Sequence, residues 1–305
     1  MNKHGGTPTD RGRLEGTEDL EKQLSIIGGS QAYNLVKSGQ FKGEDLSPIE
    51  TPFGESQPLI RLENGILFIC RHGRDGYSIA APWVNYRANI WALKELGTTH
   101  IVSWSGPGAI DESLEIGQFV IPDDIIDETK AREHSFFKGT GWGFVRQNPV
   151  FCPTLSRAIA EVMEDLVLHV RSGGTYVCTE GPRLETPAEI RKFKLFGGDM
   201  VGMTLVPEVF LAKELEMHYA SICYITNYAE GLRERSFEPG VLFEGLLDED
   251  EGQAVDDAVS QFPSIVHALA NRLGSLEHSC QCDMLMERYR RRGDIGPDWH
   301  EWIRK

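Results

Sequence analysis

The chain has 305 residues, a formal net charge of −15 and 40% hydrophobic residues. That length suits one large α/β domain with tails or two small domains, and the composition suits a packed core rather than a disordered chain. The acidity repels phosphate backbones, so no nucleic-acid partner is expected, although a local Arg/His pocket can still hold a small anion. No apolar run approaches the ~20 residues of a membrane span, and the polar N-terminus has no signal-peptide core. No membrane partner and a cytoplasmic location are therefore expected.

Residues 1–22 lack apolar periodicity and read as a mobile tail. Leu24-Ser25-Ile26-Ile27 is a short strand that runs into Gly28-Gly29-Ser30, which suits either an anion nest or a plain tight turn. Residues 49–70 read as β structure. Turn signals at 49–54 precede two strands, Leu59–Leu62 and Ile66–Cys70, around Glu63-Asn64-Gly65. The second strand ends in Arg71-His72-Gly73-Arg74, which places cationic donors at its rim. Val84 to Lys94 is a helix, and Thr99 to Trp104 is the next strand, a β–α–β order that implies parallel pairing. This strand ends in Ser105-Gly106-Pro107-Gly108, at a carboxyl end where open α/β sheets bind ligands.

A strand over Gly117–Pro122 follows, then a long irregular stretch over 130–153. Its aromatic portion, 136–151, is a candidate subunit contact. Thr154 to Leu168 is a helix, and Tyr176-Val177-Cys178 is a strand leading into Thr179-Glu180-Gly181-Pro182-Arg183-Leu184-Glu185-Thr186. Thr186 caps a helix over Pro187–Leu195, with Glu189 at capping-box spacing. Met200–Met203 is a strand, Pro207 to Lys213 begins a helix, and Tyr219 to Thr226 is the last core strand. Residues 240–273 make one or two closing helices, with Pro263 kinking or dividing them. From Leu276 the chain is polar and basic, and reads as a flexible tail or an arm docking on a neighbour. The six cysteines include no C-x-x-C pair. Cys280-x-Cys282 lies in that polar region, so no metal site is expected.

Several of these strands end in donors or small residues. Ser30, Arg71, His72, Ser105 and Thr204 suit an oxyanion such as phosphate. Glu185 and Asn227 supply an acceptor and a donor/acceptor pair, which suit the edge of a heterocycle. No metal-ligand spacing, Ser-His-Asp order or dinucleotide fingerprint competes.

These motifs together resemble the trimeric purine nucleoside phosphorylase and methylthioadenosine phosphorylase family. The resemblance runs from about Ile26 to Leu273. It rests on Ile26–Ser30, Thr51-Pro52-Phe53-Gly54, Arg71–Arg74, Val84-Asn85-Tyr86-Arg87-Ala88-Asn89, Glu180–Thr186 and Gly202-Met203-Thr204 with Pro207-Glu208. It implies a single α/β domain with a mixed, mainly parallel central sheet flanked by helices. The expected division is an N-terminal tail (1–22), a nucleoside phosphorylase domain (23–275) and a polar C-terminal extension (276–305).

The resemblance also implies phosphorolysis of an N-glycosidic bond in purine salvage, by a homotrimer (or hexamer), with inorganic phosphate as co-substrate and no cofactor. Carried over by position, Ser30, Arg71, His72, Ser105, Gly106 and Thr204 hold phosphate, and Met203 packs under the sugar. Asn227 meets N7 and the C6 substituent, Glu185 holds N1, and Ala229 stands where 6-aminopurine members carry a second Asp. His72 and Asn227 are the expected catalytic pair. Asn227 in place of Asp favours a 6-oxopurine nucleoside or 5′-methylthioinosine. A 6-aminopurine phosphorylase and a catalytically weakened nucleoside-binding homologue are the alternatives. The chain departs from the family at Arg74–Trp83, which lacks a histidine, and at Phe144, where a second histidine is usual. These departures favour an apolar 5′ group or an unusual substrate.

Overall fold

The computed structural model describes residues 22–73, 78–233, 239–242, 247–277 and 279–303. Arg74 and Tyr77 lie outside them, as does most of the predicted N-terminal tail. In chain order the elements begin with β1 (Leu24–Gly28), α1 (Ser30–Lys37), β2 (Gly43–Leu46), β3 (Glu50–Thr51), β4 (Gly54–Glu55), β5 (Leu59–Leu62) and β6 (Leu67–Cys70). Then come α2 (Tyr86–Glu95), β7 (His100–Ser105), β8 (Gly108–Ala109), β9 (Phe119–Ile121), β10 (Asp124–Glu128), α3 (Pro153–Asp165) and β11 (Val170–Ser172). The site-bearing half follows: β12 (Thr175–Thr179), α4 (Pro187–Leu195), β13 (Met200–Gly202), α5 (Glu208–Glu214), β14 (His218–Tyr224) and β15 (Asn227–Tyr228). Helices α6 (Glu249–Ser260), α7 (Phe262–Leu273) and α8 (Glu287–Arg292) complete the chain.

Strands β1, β7 and β14 are buried along their whole length, as near-continuous apolar runs in covered parallel sheets are. β1 pairs in parallel with β6 and β7, and β7 in parallel with β14, while β9 runs antiparallel to β14. Successive residues alternate between two cores, as the period of 2 requires. Ile27, Ile69 and Ile101 face one with α2 and α5, whereas Ile26, Phe68 and Val102 face the other with α1, α3 and α7. The expected mixed, mainly parallel architecture is therefore present.

The β structure divides into two main sheets. One has eight strands in the order β11-β9-β14-β7-β1-β6-β5-β2, the other five in the order β10-β12-β13-β8-β15. Two neighbouring strands pass from the first to the second together. β7 continues as β8 after Gly106-Pro107, and β14 continues as β15 after Ile225-Thr226, so the expected strand to Thr226 stops at Tyr224. At this junction the carboxyl ends of parallel strands part, the kind of crevice where α/β sheets take ligands.

Of the two expectations for Pro263, division holds: α6 ends at Ser260 and Pro263 sits in the first turn of α7. Helix α1 and strands β2, β8, β11 and β15 were not expected. The C-terminal segment does not trail away: its described residues pack on their own chain. Met286, Tyr289 and Trp302 are buried in the core cluster that contains α2 and α5. Arg290, from the basic run, pairs with Glu216 and lies 4.9 Å from the Trp302 ring centroid.

Candidate active site

The first half of the site is a group of hydroxyls at the end of β7. Ser105 Oγ lies 2.9 Å from Thr204 Oγ1 and 3.2 Å from Tyr176 Oη, and Tyr176 Oη lies 3.2 Å from Thr204 Oγ1. Each hydroxyl has one proton and two lone pairs, so the triangle can satisfy itself or turn a proton towards an oxyanion. Burial raises the Tyr176 phenol, which keeps its proton. Gly106 sits beside this group, where a Cβ would stand 2.7 Å from Thr226 Cγ2 and 3.0 Å from Tyr224 Cζ.

Tyr176 reaches the triangle only because Gly202 has no side chain: a Cβ there would lie 2.0 Å from Tyr176 Oη. Gly202→Ala must therefore displace the phenol. Overpacking of this kind costs about 1–3 kcal/mol. Urea melts should show that loss, and the phosphate KM should rise. An unchanged phosphate KM would remove Tyr176 from the site.

Arg71 and His72 follow β6, but neither is a solvated rim donor. Arg71 is fully buried. Its Nε and Nη2 donate to Glu208 at 2.7 and 2.9 Å, Nη2 also to Ser103 Oγ at 2.8 Å, and Nη1 to Trp104 O at 3.3 Å. Tyr219 Oη donates to the same carboxylate at 2.9 Å. Burial alone would lower the guanidinium pKa, but the Glu208 pairing outweighs it and Arg71 stays charged. His72 lies beside the Gly29 turn, with Cδ2 3.9 Å from where a Gly29 Cβ would be. Ser30 begins α1 on that turn; its side chain is outside the described residues.

His72 Nδ1 lies 2.9 Å from Ile79 O. A carbonyl only accepts, so Nδ1 is assigned the proton and Nε2 becomes the acceptor in the neutral ring. Burial, then the charge of Arg71, push its pKa down from 6.5 to about 4. Between those values the unfolded chain binds more protons than the folded one. Stability should therefore fall as pH drops through this window, by up to about 1.4 kcal/mol per unit. Glu214, raised to about 7 by burial, opposes the trend. It does so in wild type and in His72→Gln alike, so the difference between their pH–stability curves isolates His72. Parallel curves would contradict the assignment.

The second half of the site lies across the five-stranded sheet. Thr179, ending β12, donates its hydroxyl to Glu185 Oε1 and stands 3.4 Å from Gly202 O. Asn227, at the start of β15, is held at both ends of its amide: Thr226 Oγ1 donates to Oδ1 at 2.8 Å, and Nδ2 donates to Tyr228 O at 2.9 Å. One Nδ2 proton remains for a ligand. Gly108 is opposite, with a Cβ position 3.1 Å from Nδ2. Ala229 continues the pairing through Ala109 O at 2.8 Å and packs in an apolar cluster with Val177 and Val201. Met203 leans on the Gly181 turn, where a Cβ would come within 2.5 Å of its Sδ.

Sequence reasoning missed Arg132. This buried side chain crosses between the loops after β12 and β13. Nη1 donates to Met203 O at 2.8 Å, to Tyr86 Oη at 3.2 Å and to Val206 O. Nη2 donates to Thr179 O at 3.0 Å and Glu180 O at 2.8 Å. It fixes the spacing between the turn bearing Thr179 and the turn bearing Met203. Glu208 and Tyr176 were also passed over as functional residues, although both lie in segments that had been singled out.

The hydroxyls of Ser105, Thr204 and Tyr176 thus stand at the end of β7, and the Asn227 amide at the start of β15, on the two strands that pass from one sheet to the other. The chain belongs to the phosphorylase superfamily, whose family model matches residues 24–271. It is similar to a probable 6-oxopurine nucleoside phosphorylase of Dictyoglomus turgidum, 36% identical over 279 residues, covering 89% of this chain and 99% of the relative. It is also similar to a probable S-methyl-5′-thioinosine phosphorylase of Methanothermobacter thermautotrophicus, 37% identical over 262 residues, with 85% and 87% covered. Among solved structures, the methylthioadenosine phosphorylase from Schistosoma mansoni in complex with adenine superposes with a TM-score of 0.76 at 27% identity, covering 88% of this chain and 96% of that one.

Proposed function

We propose that the chain is a phosphate-dependent purine nucleoside phosphorylase with a preference for 6-oxopurines, 5′-methylthioinosine included. It cleaves the N-glycosidic bond and yields free base and sugar 1-phosphate. The observation that carries the substrate preference is the fixed amide of Asn227. With Oδ1 occupied by Thr226, the remaining Nδ2 proton is a donor. A donor suits N7 and a 6-oxo group, while the Glu185 carboxylate accepts from N1–H.

In this reading phosphate sits against the Ser105 and Thr204 hydroxyls and the Gly106 turn, with the Gly29–Ser30 turn and His72 beside it. Arg71, held by Glu208, supplies positive potential from below. Phosphate oxygen attacks C1′ as the bond to the purine breaks, and the electron pair leaves with the base. The remaining Nδ2 proton, shared between N7 and O6, stabilises the charge that the base gains, so positioning and a preorganised donor lower the barrier. Met203 packs under the sugar. The reaction needs no cofactor, because phosphate is the nucleophile. The resemblance further supports a homotrimer (or hexamer) acting in cytoplasmic purine salvage. Exposed Trp83 and Phe144 offer apolar surface for a subunit contact.

The test is release of free base from inosine, guanosine, methylthioinosine and methylthioadenosine, with and without phosphate. Phosphate-dependent release of hypoxanthine or guanine is expected. Adenine release without hypoxanthine would overturn the 6-oxo preference, and no release from any nucleoside would overturn the activity.

A further inference from the structure

Four side chains from distant parts of the chain converge away from the site described above. Cys152 caps the N-terminus of α3, His218 opens β14, and Cys280 and Cys282 lie in the C-terminal segment. We infer that Cys152, His218, Cys280 and Cys282 form a structural zinc site. Their three Sγ atoms and one imidazole nitrogen all lie within 4.8 Å of one another.

The three distances among Cys152, His218 and Cys280 are close to the edges of a tetrahedral zinc shell, and Cys282 completes the group within the same 4.8 Å. Cys152 Sγ is 3.6 Å from Cys280 Sγ, and His218 Nδ1 is 3.4 Å from Cys152 Sγ and 3.3 Å from Cys280 Sγ. Zinc–sulfur bonds of ~2.3 Å and zinc–nitrogen bonds of ~2.0–2.1 Å at tetrahedral angles give edges of about 3.8 Å for S···S and about 3.6 Å for S···N. A disulfide, by contrast, requires about 2.05 Å between sulfurs. The donor set is soft, with three thiolates and one imidazole, and so selects zinc over magnesium or calcium. Cys152, His218 and Cys282 are buried and Cys280 is half-buried. Four protein ligands leave no open position, which marks a structural rather than a catalytic metal.

The surroundings support ligation. The Leu155 N–H donates to Cys152 Sγ at 3.4 Å, at the N-terminus of a helix of 13 residues, which holds the sulfur in place. The His218 ring is stacked on His100 at 4.3 Å and 8°, which fixes its plane and aims Nδ1 at the sulfurs. With zinc bound, three thiolates and a neutral His218 imidazole give a cluster of net charge −1, and protons are released on binding. Its role follows from what it joins: α3, β14 and the segment from 279 onwards that delivers Tyr289 and Trp302 to the core.

The experiment is metal analysis of the full-length wild-type protein purified under reducing conditions, with cobalt reconstitution after chelation. We expect one zinc ion per chain, a drop in Tm and three additional reactive thiols on chelation, and the visible spectrum of a tetrahedral cobalt–thiolate site. Cys280→Ser, at the least buried ligand, should lose the metal, whereas Cys70→Ser, outside the cluster, should keep it. Reduced wild-type protein that neither contains nor takes up zinc or cobalt would overturn the proposal. So would a disulfide among Cys152, Cys280 and Cys282 in the reduced protein. Neither result bears on phosphorolysis, which is measured separately.

Discussion

Glu208→Ala should destabilise the protein by about 3–5 kcal/mol, because it leaves a fully buried guanidinium without its counter-charge. Two hydrogen bonds from Arg71 and one from Tyr219 end on that carboxylate. Removing it takes away the acceptor of all three bonds, and a buried donor that loses its acceptor costs free energy. Urea melts would register the change. The pair can also be dissected. Apolar residues of similar volume often replace a buried ion pair at little or no cost. Arg71→Met with Glu208→Leu should therefore recover most of the stability while the phosphate KM stays high. A double variant with normal phosphate saturation would mean that Arg71 serves folding alone.

Asn227→Asp should move the preference between 6-oxopurine and 6-aminopurine nucleosides by about 100-fold in the ratio of kcat/KM values. Losing a donor that faces a 6-oxo group leaves an acceptor facing an acceptor, and mismatches of this type in a built polar site are heavily penalised. An exocyclic amine instead gains a partner. Thr226 can still donate to either side chain, so the substitution changes the reading group without releasing its support. Parallel assays on inosine and adenosine measure the ratio, and an unchanged ratio would exclude Asn227 as base reader.

The parts of the fold that were legible in the sequence are those where period and burial agree. The largely apolar runs at 24–28, 100–105 and 218–224 suit covered strands, and the capping box at Thr186 and Glu189 forms as its spacing implies. Strands β8 and β15 were invisible because two residues carry no period. Their existence depends on the two sheets parting, which is a tertiary event. Arg132 was invisible for a similar reason. It sits in an irregular stretch, and its acceptors are backbone carbonyls of loops more than 40 residues away, which leave no mark on side-chain identity. Arg71 was recognised, but its depth was not, since only the partner 137 residues later draws it inward. The C-terminal segment misled because its few apolar anchors are scattered among charges with no repeating interval.

That separation of 137 residues has a consequence for biosynthesis. At about 5–20 residues per second, roughly 7 to 30 s pass between translation of Arg71 and translation of Glu208. Throughout that interval β7 also lacks β14, so one edge of the nascent sheet stays open and a cation that belongs in the core has no counter-ion. The segment that carries Glu208, β14 and Asn227 therefore supplies both the pairing edge for β7 and the base-facing half of the proposed site.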